Sequence, residues 1–192
     1  LDIYSSYIVP DYSNLKPLLQ SKFGMAFLSI NKNLVPVYYF KLKSGQNITK
    51  ALTAFQIPNN TPNLETRING QKLISFSGGN NLKVLEFNNS LIVSDNLAAL
   101  DLISKVASDQ SLALHNSPIY NQTASSITDQ NLVFIYLDQR ILDHHLLANQ
   151  NYLDQNFKML ARFLPLFKVA KATALALKTS PDRLALMSVT SI

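Results

Sequence analysis

The chain has no cysteine. Disulfides, thiolate metal sites and cysteine nucleophiles are excluded together, and the absence suits an oxidising bacterial compartment, where stray thiols are a liability. Charge is scarce too: charged residues make up 15% of the chain, against roughly 25% in an average globular domain. With 47% hydrophobic residues, the chain does not fit intrinsic disorder, which needs low hydrophobicity and high charge. No stretch approaches the ~20 apolar residues of a membrane-spanning helix, and the longest runs, Leu34–Leu42 and Leu132–Leu137, are strand-sized. The chain begins at Leu1 with no charged or apolar leader, and its last residues, Ser188–Ile192, fall inside an expected strand. The expectation is an excised or processed piece of a longer protein, with any signal or anchor outside it.

What remains is rich in Asn, Gln, Ser and Thr, which supply the polar loops. Leu15, Leu18, Leu19 and Phe23 fall on one helical stripe, so a helix is expected from Ser13 or Asn14 to Lys22, ended by Gly24. Two β-rich runs, Met25–Asn31 and Leu34–Lys43, flank a polar turn and predict a hairpin, with Pro36 placing the second strand's start after it or the strand at an edge. A second helix opens at Asn47 or Thr49 and carries Ile48, Leu52 and Phe55 on one face. Four short strands follow, Leu64–Asn69, Lys72–Ser77, Leu82–Phe87 and Leu91–Ser94. Their separators, Asn69-Gly70, Gly78-Gly79-Asn80-Asn81 and Asn88-Asn89, are hairpin signals that together describe a meander.

Ser94 or Asp95 is placed to cap a third helix bearing Leu97, Leu100, Ile103 and Val106. Ser117-Pro118 opens a short helix, Leu132–Leu137 is a strand, and helices are expected over 139–148 and from Asn151 to the break at Pro165. A last hairpin spans Ala172–Ser191. The order of elements in Leu15–Lys43 is echoed in Tyr152–Ser191, which suggests a second repeat unit beginning near 151. Runs of strands punctuated by single helices favour an α+β fold over a doubly wound sheet. The expected architecture is a single α+β domain over residues 1–192, an antiparallel sheet of hairpins and meander packed against several short amphipathic helices on one face.

The chemistry is sparse. Asp143-His144-His145, with Asp138 and Arg140 nearby, is the densest titratable cluster, but adjacent histidines on a helix point ~100° apart and metal helices use i, i+3 or i, i+4 spacing. His115 is the only other histidine, and a solvated helix surface accounts for the cluster. Gly78-Gly79-Asn80-Asn81 leads into an alternating strand rather than a helix, so it reads as a hairpin turn and not a phosphate loop. There is no Gly-x-Ser-x-Gly elbow, and the one Ser-x-x-Lys places Ser13 as a helix cap. Carboxylates are too dispersed for an acid–base pair. Tyr38-Tyr39-Phe40-Lys41 has the aromatic-basic mixture of base-stacking sheets, yet alternate burial in a strand explains it, and nucleic acid is not expected as a partner.

Leu153, Phe157, Leu160 and Leu164 form the core stripe of an amphipathic helix. Near the end, Lys158, Arg162, Lys168, Lys171, Lys178 and Arg183 face only Asp182 after Asp154. That asymmetry is either a solvated face or a contact for an anionic membrane surface. The sequence therefore nominates no catalytic, cofactor-binding or metal-ligating residue, and the chain is not expected to be an enzyme.

The order of elements carries one resemblance. Asn88-Asn89-Ser90-Leu91-Ile92-Val93-Ser94-Asp95-Asn96-Leu97-Ala98-Ala99-Leu100, then Gln110-Ser111-Leu112-Ala113, Ser117-Pro118-Ile119-Tyr120 and Leu132-Val133-Phe134-Ile135-Tyr136-Leu137-Asp138, resembles an uncharacterised family of bacterial, especially cyanobacterial, envelope proteins (domain of unknown function 3352). The likeness spans roughly residues 60–190 and rests on structural turns, and His115-Asn116 stands where that family more commonly has Asp or Gly. It implies an extracytoplasmic location, in the periplasm, thylakoid lumen or cell surface, and contributes no catalytic residues. Elimination and a polar, low-charge surface then favour a non-catalytic domain that binds or scaffolds a membrane-associated or envelope protein. The alternative is a carrier of an apolar small molecule or lipid between sheet and helices.

Overall fold

Asparagine turns frame the computed structural model, which describes residues 12–55, 61–77, 81–125, 127, 133–141, 170–180 and 183–192. Asn31 and Lys32 hold φ at 48° and 66°, Asn69 and Gly70 at 48° and 81°, and Asn88 and Asn89 at 44° and 59°. Two successive positive φ angles make the type I′ turn, whose twist matches that of the strands it joins. Asn and Gly tolerate this region best because it crowds an ordinary Cβ.

The chain divides into two compact units, Leu1–Ser108 and Asp109–Ile192. Each unit carries its own sheet and its own buried core. The α+β class itself holds, with antiparallel sheets and several short helices.

In the first unit, α1 (Tyr12–Leu15) passes into a 3-10 turn, Lys16–Leu18, and then directly into β1 (Leu19–Ile30). The helix expected through Lys22 is thus only a turn long. Its apolar stripe is shared out differently: Leu15 and Leu18 are buried, whereas Phe23 belongs to β1 and is exposed. Gly24 sits within that strand, opposite Tyr39, and does not end a helix.

The unit continues with β2 (Asn33–Leu42), α2 (Ile48–Thr53), β3 (Thr61–Ile68), β4 (Gln71–Ser77), β5 (Lys83–Phe87), β6 (Ser90–Ser94) and α3 (Leu97–Ser108). The strands form one antiparallel sheet in the order β1-β2-β6-β5-β4-β3. The meander read from the turns is therefore present as β3 to β6. β2 is an inner strand that starts before Pro36, contrary to expectation. Its ladder with β6 begins only at Tyr38, so the missing N–H of Pro36 removes no bond there.

Helices cover both faces of this sheet, not one. Phe40, Leu42, Ile74, Phe76, Val84, Leu91 and Val93 point to one face, where Leu15, Leu18 and the α2 side meet them through Leu52 and Phe55. Phe55 is fully buried, with its ring centroid 6.1 Å from that of Phe76, and such burial stabilises by about 1.5–3 kcal/mol. Val35, Val37, Leu73, Leu85 and Ile92 point the other way and pack with Ala99 and Leu100 of α3. β6 reads Leu91-Ile92-Val93 with all three buried, the mark of a strand covered on both sides.

The helix starts are set by side chains. Asn47 caps α2, its Oδ1 accepting from the Thr49 N–H at 2.8 Å, as the sequence leads one to expect. For α3 the capping side chain is Asn96, accepting from the Ala99 N–H at 3.1 Å, rather than Ser94 or Asp95. Ser94 is engaged elsewhere: its hydroxyl donates to the Pro36 carbonyl at 2.9 Å and ties β6 to β2.

The second unit holds α4 (Pro118–Ala124) and the strands β7 (Val133–Asp138), β8 (Ala172–Ser180) and β9 (Arg183–Ser191), ordered β7-β8-β9. Ala172, Ala174 and Ala176 alternate along β8, and all are buried. Ala174 and Ala176 pack with Ile127, Tyr136 and Val189, and Tyr120 of α4 stacks edge-on against Tyr136 at 5.0 Å. Thr123 of α4 reaches Ser191 at 3.1 Å and the Ile119 carbonyl at 2.7 Å, within the buried layer. The last hairpin completes a sheet that starts at Val133. This differs from the plan of the first hairpin, where the second strand, β2, is the inner one. The start near 151 proposed for a repeat, and the helix from Asn151 to Pro165, lie outside the described residues.

Candidate functional site

The most unusual surface is on β1. Phe23, Met25 and Phe27 alternate along the strand, so they share one face, and they are 51%, 54% and 56% exposed. Their partners across the ladder are Phe40, Tyr38 and Pro36 of β2. The row therefore lies on the face that carries Phe40 and Leu42 inward to the α2 side, but at the margin, where α1 and α2 do not cover it. Leu34, opposite Ser29 and 40% exposed, extends the apolar strip toward the turn.

β1 is also the end strand of its sheet. Among the described residues it pairs with β2 alone, so its other edge carries no ladder. End strands are usually blunted by charge, proline or short length. The Phe23–Phe27 stretch has none of these: it reads Phe-Gly-Met-Ala-Phe. Within it, a Cβ added at Gly24 would stand 3.6 Å from Tyr39 Cβ, an ordinary contact.

The electrostatic setting is one-sided. Between Asp11 and Glu65 the chain has no carboxylate and six lysines: Lys16, Lys22, Lys32, Lys41, Lys43 and Lys50. Lys32 is exposed in the turn at one end of β1, and Lys16 is exposed just before its start. Lys43 is tied back, its Nζ donating to the Pro17 carbonyl at 2.7 Å. The basic excess thus rims an apolar strip.

The cluster singled out for its density of charge is divided. Asp143, His144 and His145 lie outside the described residues. Asp138 and Arg140 form a two-pronged ion pair, with Arg140 Nε 3.0 Å from Oδ1 and Nη2 2.6 Å from Oδ2. That hydrogen bonding holds the Asp138 carboxyl below the usual carboxylate range, against partial burial. Burial pushes the Tyr136 phenol up, and Asp138 adds to it. Gln139 beside them is fully buried and donates to Thr173 Oγ1 at 2.7 Å. The arrangement is a salt bridge closing the end of β7, with no nucleophile or open coordination position in it.

His115 lies in an exposed 3-10 turn, Leu114–Asn116. No group of three metal-ligating side chains converges among the described residues. Residues 78–80 of the Gly-Gly-Asn-Asn stretch lie outside the described residues. Tyr38 and Phe40 pack on the core face and Tyr39 and Lys41 on the other; the Tyr39 phenol accepts from Ser90 Oγ at 3.0 Å. Ser13 is exposed in α1. Of the basic residues near the end, Lys158, Arg162 and Lys168 are outside the description, and Lys171 Nζ donates to the Ile192 carbonyl at 3.1 Å. No helix among the described residues is long and apolar enough to cross a membrane.

Sequence reasoning missed the Phe23-Met25-Phe27 row. Two signals were available: a period of two rather than 3.6, and the absence of acid from residue 12 to residue 64. The chain matches no protein-family model, no curated protein and no solved structure.

Proposed function

We propose that this chain is a non-catalytic extracytoplasmic domain that binds or scaffolds an envelope or membrane-associated protein. The observation that carries the reading is the exposed row Phe23, Met25 and Phe27 on an end strand. Large apolar side chains presented together at a sheet margin are the usual mark of a contact surface. The absence of cysteine and the resemblance of the element order to envelope proteins support the compartment. The alternative, a carrier of an apolar small molecule or lipid between sheet and helices, would draw on the layers where Leu15, Leu42, Phe55 and Leu100 are buried.

The test is a photo-crosslinking amino acid at Phe27, compared with one at Leu102, which is 40% exposed on α3, in cells that make the protein. A discrete protein adduct at position 27 and none at 102 is expected. Equal labelling at both positions, or lipid adducts alone, would end the reading.

A further inference from the structure

We propose that the partner of this surface is an extended, acidic segment that adds to the sheet beside β1 as a seventh strand, setting alternate apolar side chains against Phe23, Met25 and Phe27. The inference rests on the protein-binding reading above and narrows it. Three independent features converge. The first is backbone: among the described residues the outer edge of Phe23–Phe27 carries no ladder, and an extended peptide satisfies such an edge with main-chain hydrogen bonds.

The second is periodicity. An added strand places every other side chain on the face of Phe23, Met25 and Phe27, at the spacing of a cross-strand pair. These side chains are half exposed, with Phe40, Tyr38 and Pro36 opposite them across the ladder on one flank. A strand on the other flank would cover them. Gly24 and Ala26 occupy the alternate positions between them.

The third is charge, and it decides between occupants. The stretch from Tyr12 to Leu64 carries six lysines and no acid. A second copy of this chain pairing β1 to β1 would bring together two stretches of the same sign, which repel. An acidic segment is instead attracted to the lysines that flank β1, Lys16 just before its start and Lys32 in the turn after its end, both exposed. An anionic membrane shares the charge but has no strand to offer the edge, and it would bind the flat apolar strip regardless of backbone.

The experiment uses the 192-residue chain and a labelled nine-residue peptide alternating glutamate and valine, followed by fluorescence anisotropy. Three comparison probes are used: the same peptide with lysine for glutamate, the glutamate peptide N-methylated at alternate residues, and vesicles of phosphatidylglycerol in phosphatidylcholine. Binding of the glutamate peptide is expected to be at least ~10-fold tighter than that of the lysine or N-methylated forms, and to weaken with salt. Met25→Ser and Phe27→Ser, at exposed positions that leave the far-ultraviolet circular dichroism unchanged, should each weaken it by ~10-fold. Equal binding of the glutamate and lysine peptides overturns the proposal, as does equal binding of the N-methylated form. So does vesicle binding without peptide binding, and so does no binding at all. In any of these cases a protein adduct at Phe27 would leave the broader partner reading standing, whereas loss of that adduct too would end both.

Discussion

Replacing Asn69 tests how the first unit holds its edge hairpin to α3. Asn69 opens the type I′ turn between β3 and β4 at φ 48°. Its Nδ2 donates to Ser104 Oγ at 2.7 Å and to Asp101 Oδ1 at 3.2 Å. Ser104 is fully buried and lies 3.4 Å from the Ile68 carbonyl, so this one amide joins the turn, the strand end and the helix. Asn69→Gly keeps the left-handed backbone and removes only the side-chain bonds, which should cost about 1 kcal/mol. Asn69→Ala removes the same bonds and also forces a Cβ into the left-handed region, for a further 1–2 kcal/mol or so. The expected order is wild type, then Gly, then Ala, with Ala lower by about 2–3 kcal/mol in all. Urea unfolding followed by far-ultraviolet circular dichroism measures it, read as a shift of midpoint at constant slope. A Ser104→Ala partner closes a double-mutant cycle with Asn69→Gly, and coupling of about 0.5–1 kcal/mol is expected. If Asn69→Ala is no worse than Asn69→Gly, the backbone account is wrong. If the cycle shows no coupling, the bridge to Ser104 contributes nothing.

Three further outcomes are expected. Gly24→Ala should leave stability unchanged or raise it by about 0.5 kcal/mol, because the site is extended and open, with the nearest atom 3.6 Å from the added Cβ; a loss above about 1 kcal/mol in a melting experiment would point instead to a left-handed helix cap. Thr123→Val should destabilise the second unit by about 1–2 kcal/mol, since its hydroxyl is buried against Ser191 and the Ile119 carbonyl; an unchanged urea midpoint would refute the buried-bond account. Asp138 has its carboxyl held low by Arg140, so its contribution is present above the ordinary carboxylate range and is lost as pH falls through the depressed value. Wild type should therefore lose stability between pH 5 and the acid limit faster than Asp138→Asn does, and parallel profiles would exclude the linkage. The size should be modest, because the Arg140 side chain is 59% exposed and solvent screens the pair.

The turns were legible because they are local. Asn69-Gly70 and Asn88-Asn89 state their backbone in two residues, and the strands between them need only alternate. The starts of α2 and α3 were legible to within a residue or two for the same reason: Asn47 does what its side chain allows, while Ser94, equally fit to cap α3, accepts from the Asn96 N–H just ahead of it and donates to the Pro36 carbonyl fifty-eight positions back along the chain. That contact belongs to the β2–β6 pairing, which no local pattern encodes. The misread helix over Ser13–Lys22 shows the complementary failure. Leu15, Leu18, Leu19 and Phe23 satisfy a helical period, yet Phe23, where that stripe ends, begins the strand period of Phe23, Met25 and Phe27. The long β1–β2 ladder decided between them.

The same competition hid the candidate surface. Assigned to a helix, Phe23 belongs to the core and nothing about the region calls for a partner. Assigned to β1, it becomes the first of three apolar side chains on an end strand whose covering helices stop short of it. A natural end strand with this composition would be an aggregation hazard if it stayed bare. Lysines with no intervening acid lessen that hazard by keeping copies of the chain apart, and they do so without protecting the strand from an acidic partner. The charge pattern therefore serves two ends at once: it disfavours self-pairing and selects the sign of what may add to the edge. Reversing it makes the point testable in one variant. Lys16→Glu and Lys32→Glu together should weaken the glutamate peptide, strengthen the lysine peptide, and leave the fold intact, since both side chains are exposed.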